Sequence, residues 1–172
     1  MPPWRWRRVT DGERAVLDEV FAGGLDADRL RVWCLPPIGW TFGRAFTPGG
    51  WVAPGRTVVA FPPKQALLDF TAAAAPLSAL ATFVHEATHA WQSQQGVNLA
   101  WAKLKAGDSP DSYRYALAPD TRWSGLNIEQ QAMVVEHDFL ARRGVAAPSD
   151  AALYDAVIPW RKGAAGHGPP AA

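Results

Sequence analysis

Two imidazoles four residues apart, with a carboxylate beside the first, occur in the stretch His85-Glu86-Ala87-Thr88-His89. On an α-helix a step of four residues returns a side chain to nearly the same face, so both imidazoles can close on one metal ion. Neutral imidazole nitrogens bind Zn²⁺ well, and three protein ligands leave a fourth position for water. Water held there reaches a pKa of roughly 7 and becomes a usable nucleophile at ordinary pH. Glu86 lies about 100° around the helix from His85. It is placed to take the water's proton and pass it to a leaving nitrogen, without binding the ion. This pattern predicts metal-assisted hydrolysis of a peptide or amide bond, with Glu86 as general base.

Such a site needs a helix to carry it. Pro76, Leu77, Leu80, Ala81, Val84, Ala87, Ala90 and Trp91 recur at the three-and-four spacing of a broad apolar face. Pro76 suits a first turn, and Gly96 after the polar run Gln92 to Gln95 marks the stop. The motif is therefore expected inside a long, largely buried helix. Trp91 is read as a core residue.

Elsewhere, Thr10 and Glu13 form a capping box ahead of Val16, Leu17, Val20 and Phe21, predicting a first helix that ends by Gly23-Gly24. Leu30, Val32 and Cys34 alternate with Arg29, Arg31 and Trp33 as a half-buried strand ended by Pro36-Pro37. Pro48-Gly49-Gly50 and Pro54-Gly55 punctuate turns around Trp51-Val52, and Thr57 to Phe61 reads as a further strand. A small sheet ahead of the motif helix suits a protease, because an exposed edge can pair with an extended peptide. Residues 98–121 read as loop. A helix beginning at Asn127 carries Ile128, Ala132, Val135 and Phe139 and ends at Arg142-Arg143-Gly144. A short helix after Ser149 runs to Val157 and is closed by Pro159.

The 172 residues fit one domain over 1–162, followed by a flexible Gly/Ala/Pro tail over 163–172. A net charge of +1 argues against nucleic acid or a membrane surface as partner. Arg5, Arg7 and Arg8 with Trp4 and Trp6 read as a solvated or packed terminal arm. Cys34 is the only cysteine, which excludes an internal disulfide, and its apolar neighbours make it a core side chain. The longest apolar run, Phe70 to Val84, is too short to span a bilayer, and no secretory h-region follows the early arginines. The expected location is the producing cell's cytoplasm, with any export by a signal-peptide-independent system.

The residues alone leave the third ligand open. Glu129 and Glu136 lie seven apart on the later helix and share a face, roughly 10 Å from each other, so only one can reach the ion. His137 and Asp120 compete with them. As the oxyanion stabiliser opposite the metal, Tyr113, Tyr115 and His137 carry suitable donors, and Tyr115 is the residue selected.

His85-Glu86-Ala87-Thr88-His89-Ala90-Trp91-Gln92 followed by Glu129-Gln130-Gln131-Ala132 resembles the gluzincin peptidases, whose third ligand is a glutamate on a later helix. Thr47-Pro48-Gly49-Gly50, Phe61-Pro62-Pro63 and Asn127-Ile128-Glu129-Gln130-Gln131-Ala132 make the chain still more similar to the small Vgr-related and Rhs-associated metallopeptidase domains found near bacterial type VI secretion genes. The resemblance spans roughly residues 30 to 140. It implies an α+β gluzincin-like (zincin) domain in which a small twisted sheet packs on the motif helix and a ligand-bearing helix. It also implies Zn²⁺ held by His85, His89 and Glu129, with Glu136 as a supporting or surface carboxylate, and a secretion-apparatus partner beside a peptide or protein substrate.

Two other readings stand beside a zinc peptidase. In one, the domain is a catalytically silent metal-binding adaptor, because its small size leaves little room for a second lobe. In the other, His167 of the tail folds back over the metal as a self-inhibitor.

Overall fold

Alternation of apolar and polar residues produces the central strand of a three-stranded sheet. The computed structural model describes residues 1–2, 5–35, 43–48, 55–107 and 109–161. Strand β2 (Leu30–Cys34) buries Leu30, Val32 and Cys34 while Arg31 and Trp33 face partly outward, as their period of two requires. Beside it, β3 (Thr57–Phe61) is buried at every position and runs parallel to β2, with Val32 opposite Val59. On the other side β1 (Trp6–Arg8) pairs antiparallel, with Trp6 opposite Trp33. Trp6, Arg7 and Arg8 of the N-terminal arm thus form an edge strand. Trp6 stacks on Trp33 at 5.2 Å, and Arg7 forks onto Glu13 at 2.7 Å. Beyond β3, Phe46 forms a single antiparallel bridge with Ala60, so residues 43–48 run along the far edge of the sheet.

Helix α1 (Asp11–Phe21) starts where the Thr10/Glu13 box predicts, with both reciprocal bonds formed. Buried Glu13 also accepts from Phe70 N, tying this cap to the segment that leads into the motif helix. Helix α2 (Leu77–Gln94) begins directly after Pro76, which occupies the N-cap position without a side-chain bond, and carries the motif. It packs across β3 and most extensively against α4 (Ile128–Ala141). Asn127 caps α4 through bonds to Glu129 N and Gln130 N, completed by Gln130 reaching back to Asn127 N. The short α5 (Ala151–Val157) starts from Asp150 rather than Ser149.

Within residues 98–121, expected to be loop, lies another helix, α3 (Leu99–Ala106), capped by Asn98 accepting from Trp101 N. Its Leu, Ala and Lys content is strongly helix-forming, and Gly107 at φ +77 stops it.

The architecture among the described residues is α+β, one three-stranded sheet with five α-helices. Its core joins Leu17, Phe21, Val32, Phe61, Phe70, Phe83, Val84 and Phe139. Phe70 stacks between Phe61 at 4.7 Å and Phe83 at 5.0 Å, locking the middle of α2 onto β3. Trp91 meets Trp123 and Trp160 in an aromatic cluster, matching its reading as a packing residue. Cys34 is buried and free of disulfide. No described helix is long and apolar enough to cross a membrane. Trp4, Pro36-Pro37, Gly49-Gly50, Trp51-Val52, Pro54 and the tail with His167 lie outside the described residues.

Candidate metal centre

Helical spacing puts His85 and His89 on one face of α2, and packing against α4 brings Glu129 to them. One donor atom from each of the three lies within 4.8 Å of the other two, and all three residues are buried. Glu129 Oε2 sits 3.2 Å from His89 Nε2 and 3.5 Å from His85 Nε2. Glu129 reaches this place because Asn127 starts α4 two residues earlier, which points the first turn at the motif.

The far side of each ring is also held. His85 Nδ1 lies 3.0 Å from Glu136 Oε2, a carboxylate oxygen that accepts, so Nδ1 carries the proton. His89 Nδ1 lies 2.8 Å from Gln92 Oε1. The orientation of that amide follows from its surroundings, since Gln92 Nε2 donates to the carbonyl of Ile128 at 3.1 Å and to Gln131 Oε1 at 2.8 Å. Gln131 is aligned in turn by donating to the carbonyls of Trp123 and Leu126. Backbone carbonyls can only accept, so the chain of bonds forces Oε1 toward His89 and the proton onto Nδ1. Both rings therefore present Nε2, unprotonated when neutral, toward Glu129 Oε2.

The electrostatics suit a cation. Burial opposes charge on His85, yet hydrogen bonds to Glu129 and Glu136 overcome it and carry its pKa up to about 10. Burial likewise opposes ionisation of Glu129, but the imidazoles of His85 and His89 hold its carboxyl far below the usual range. The second carboxylate oxygen, Glu129 Oε1, is buried with no hydrogen bond. Lys103 Nζ stands 3.1 Å from it, close enough for an ion pair. Two imidazole nitrogens and one carboxylate oxygen, each preset by a further partner, fit a zinc ion.

Glu86 lines the same cleft as His85 and Glu129, and its carboxylate is held by Thr47. Thr47 Oγ1 donates to Glu86 Oε2 at 2.8 Å and approaches the Glu86 carbonyl at 3.0 Å. The threonine that sequence reading placed only in a turn motif thus holds the candidate base. A cleft of about 260 Å³ opens over the site, lined by His85, Glu86, Glu129, Glu136, Lys103 and Tyr113 among others.

The other sequence candidates lie elsewhere. Asp120 is exposed in the turn before residues 123–125. His137 is not among the three clustered donors and is bonded instead through Nδ1 to the hydroxyl of Tyr115 at 2.6 Å. Tyr115 is also engaged with Tyr154 at 2.9 Å, and burial with that bond drives its hydroxyl far above the ordinary phenol range. Tyr115, selected as oxyanion stabiliser, is therefore tied into a packing network. Tyr113 is the tyrosine that lines the cleft, with its hydroxyl 3.3 Å from Arg44 Nη1. Sequence reasoning missed Lys103 and Gln92; Gln92, three residues after His89 on the same helix, was the one with a readable signal.

No protein-family profile matches the chain. Over 140 residues it is 27% identical to the type VI secretion system spike protein VgrG2b of Pseudomonas aeruginosa, an alignment covering 79% of this chain. The chain spans only 13% of that protein's length. The solved effector domain of P. aeruginosa VgrG2b superposes with a TM-score of 0.66 at 25% identity, covering 87% of this chain and 79% of that one. Sequence and fold together make this chain a homologue of the VgrG2b effector domain.

Proposed function

We propose that the protein is a zinc-dependent metallopeptidase of gluzincin type, hydrolysing peptide or amide bonds, and that it acts as an effector of a type VI secretion system. The observation that carries the hydrolytic reading is the convergence of His85, His89 and Glu129, each preset by a neighbour, beside a cleft lined by Glu86. The effector reading rests on the homology to VgrG2b.

His85 and His89 would hold zinc through Nε2 and Glu129 through Oε2. When bound there, zinc would supply Lewis acidity to a water and to the scissile carbonyl. Glu86 accepts the proton of the attacking water and returns it to the leaving nitrogen. Thr47 holds one oxygen of the Glu86 carboxylate by its hydrogen bond and leaves the other to take the proton. Glu136 and Gln92 keep each imidazole in the ligating tautomer. Tyr113 at the cleft wall offers a donor for the developing oxyanion.

A structural zinc site closes with four protein ligands, whereas a hydrolytic one keeps an open position. Among the described residues the cluster holds three candidate ligands and faces a cleft, which favours hydrolysis over the silent adaptor. The test is incubation of the zinc-loaded protein with a proteome-derived peptide library, with and without chelator. Chelator-sensitive cleavage supports the proposal. Tightly bound zinc with no cleavage of any peptide favours the adaptor.

A further inference from the structure

Helix α3 is oriented against the usual hydrophobic logic. Leu99, Ala102, Lys103 and Ala106, spaced three and four apart, form its inner face, with Leu99 buried and the others partly so. Trp101 and Leu104 are 67% and 73% exposed. A helix that turns a tryptophan and a leucine to solvent while directing a lysine inward needs a reason for the lysine. That reason is Glu129, whose Oε1 lies 3.1 Å from Lys103 Nζ while its Oε2 faces the two imidazoles. The two oxygens of one buried carboxylate are thereby divided between an ammonium and the metal-binding nitrogens.

We propose that Lys103 is a positioning residue for the metal centre: its ammonium reserves Glu129 Oε1, so the carboxylate offers only Oε2 to the ion and a coordination position stays free for water. The inference rests on the zinc-site reading above. A carboxylate carries acceptor sites on both oxygens and can grip a cation with one or both. Bidentate binding here would require Oε1 to leave its cation in a buried setting. Lys103 is itself 39% exposed and anchored through the α3–α4 packing, so it reaches Oε1 from the rim of the cleft without entering the ligand set. Met offers similar length with no charge, and Arg restores the charge.

The test uses the full chain loaded with Co²⁺ as a spectroscopic stand-in for zinc, comparing the parent with Lys103→Met and Lys103→Arg. The proposal expects all three to bind one ion. The visible absorption of Lys103→Met should drop several-fold as the ion passes from four- to five-coordinate, while Lys103→Arg keeps the parent spectrum. An unchanged Lys103→Met spectrum overturns the proposal. If its hydrolysis nevertheless falls, Lys103 acts on substrate instead. X-ray absorption of the zinc-loaded parent gives a check that needs no variant, and two Glu129 oxygens on the ion would overturn the proposal. A parent that binds no metal at all defeats the zinc-site reading, a result distinct from either outcome at Lys103.

Discussion

Gln92 Oε1 accepts a hydrogen bond from His89 Nδ1 at 2.8 Å, one helical turn beyond the ring it orients. The bond links the motif to α4, because the same amide donates to Ile128 O at the start of the helix that carries Glu129. Losing it frees the His89 tautomer and loosens α2 from α4 together. Gln92→Ala is therefore expected to weaken zinc affinity by about 10- to 100-fold. Competition against a chromophoric chelator measures this, and an unchanged affinity would show that the ring needs no such partner.

Thr47 should matter to turnover and not to metal. Thr47→Val keeps the shape but removes the donor to Glu86 Oε2. Hydrogen bonds to charged groups contribute about 1.5–3 kcal/mol, so kcat is expected to fall about 10- to 100-fold with zinc content unchanged. Steady-state kinetics beside elemental analysis separate the two effects. A variant that loses its zinc would place Thr47 in the metal site instead.

His137 is expected to contribute to acid sensitivity. Burial lowers its pKa below the ordinary 6.5; the charge of Glu136 counters this in part, and that of His85 adds to the lowering. Its neutral form is thus favoured in the fold, and on acidification the unfolded chain takes up a proton first. Stability from this group is complete above the ordinary pKa of about 6.5 and is lost as pH falls from there through the lower folded value. Urea titrations between pH 7 and 5 should show a shallower decline for His137→Gln than for the parent. Equal slopes would remove His137 as the cause.

The link between core and site predicts a stability effect. Phe83 is fully buried and stacked on Phe70 two residues before His85. Phe83→Ala is expected to cost about 3–5 kcal/mol, read from denaturant unfolding of the metal-free protein. A loss under about 1 kcal/mol would mean that the site helix is not held through this stack.

Local rules made much of the fold legible. The capping residues of α1 and α4, the alternation in β2 and the apolar stripe of α2 are each set by neighbours in sequence. What escaped depends on tertiary packing. Helix α3 shows no amphipathic stripe, because Trp101 and Leu104 face solvent while Lys103 turns inward toward a carboxylate 26 positions later in sequence. Tyr113 and Tyr115 are two residues apart in a segment without regular structure, where periodicity says nothing about direction, and the structure sends only Tyr113 to the cleft. Thr47 finds Glu86 across 39 positions, a contact the composition of its turn could not announce. The grouping of Glu129 with the imidazoles was legible only through family resemblance, since spacing alone left Glu136, His137 and Asp120 in play.

In the proposed zinc-assisted hydrolysis, Glu86 moves the proton. The most direct test of this role measures peptide cleavage and zinc content in parallel for the parent and Glu86→Gln. The expected result is one zinc per chain in both proteins, with cleavage in the variant reduced by about 10²- to 10⁴-fold. Cleavage by Glu86→Gln at the parent's rate, with zinc bound, would contradict it.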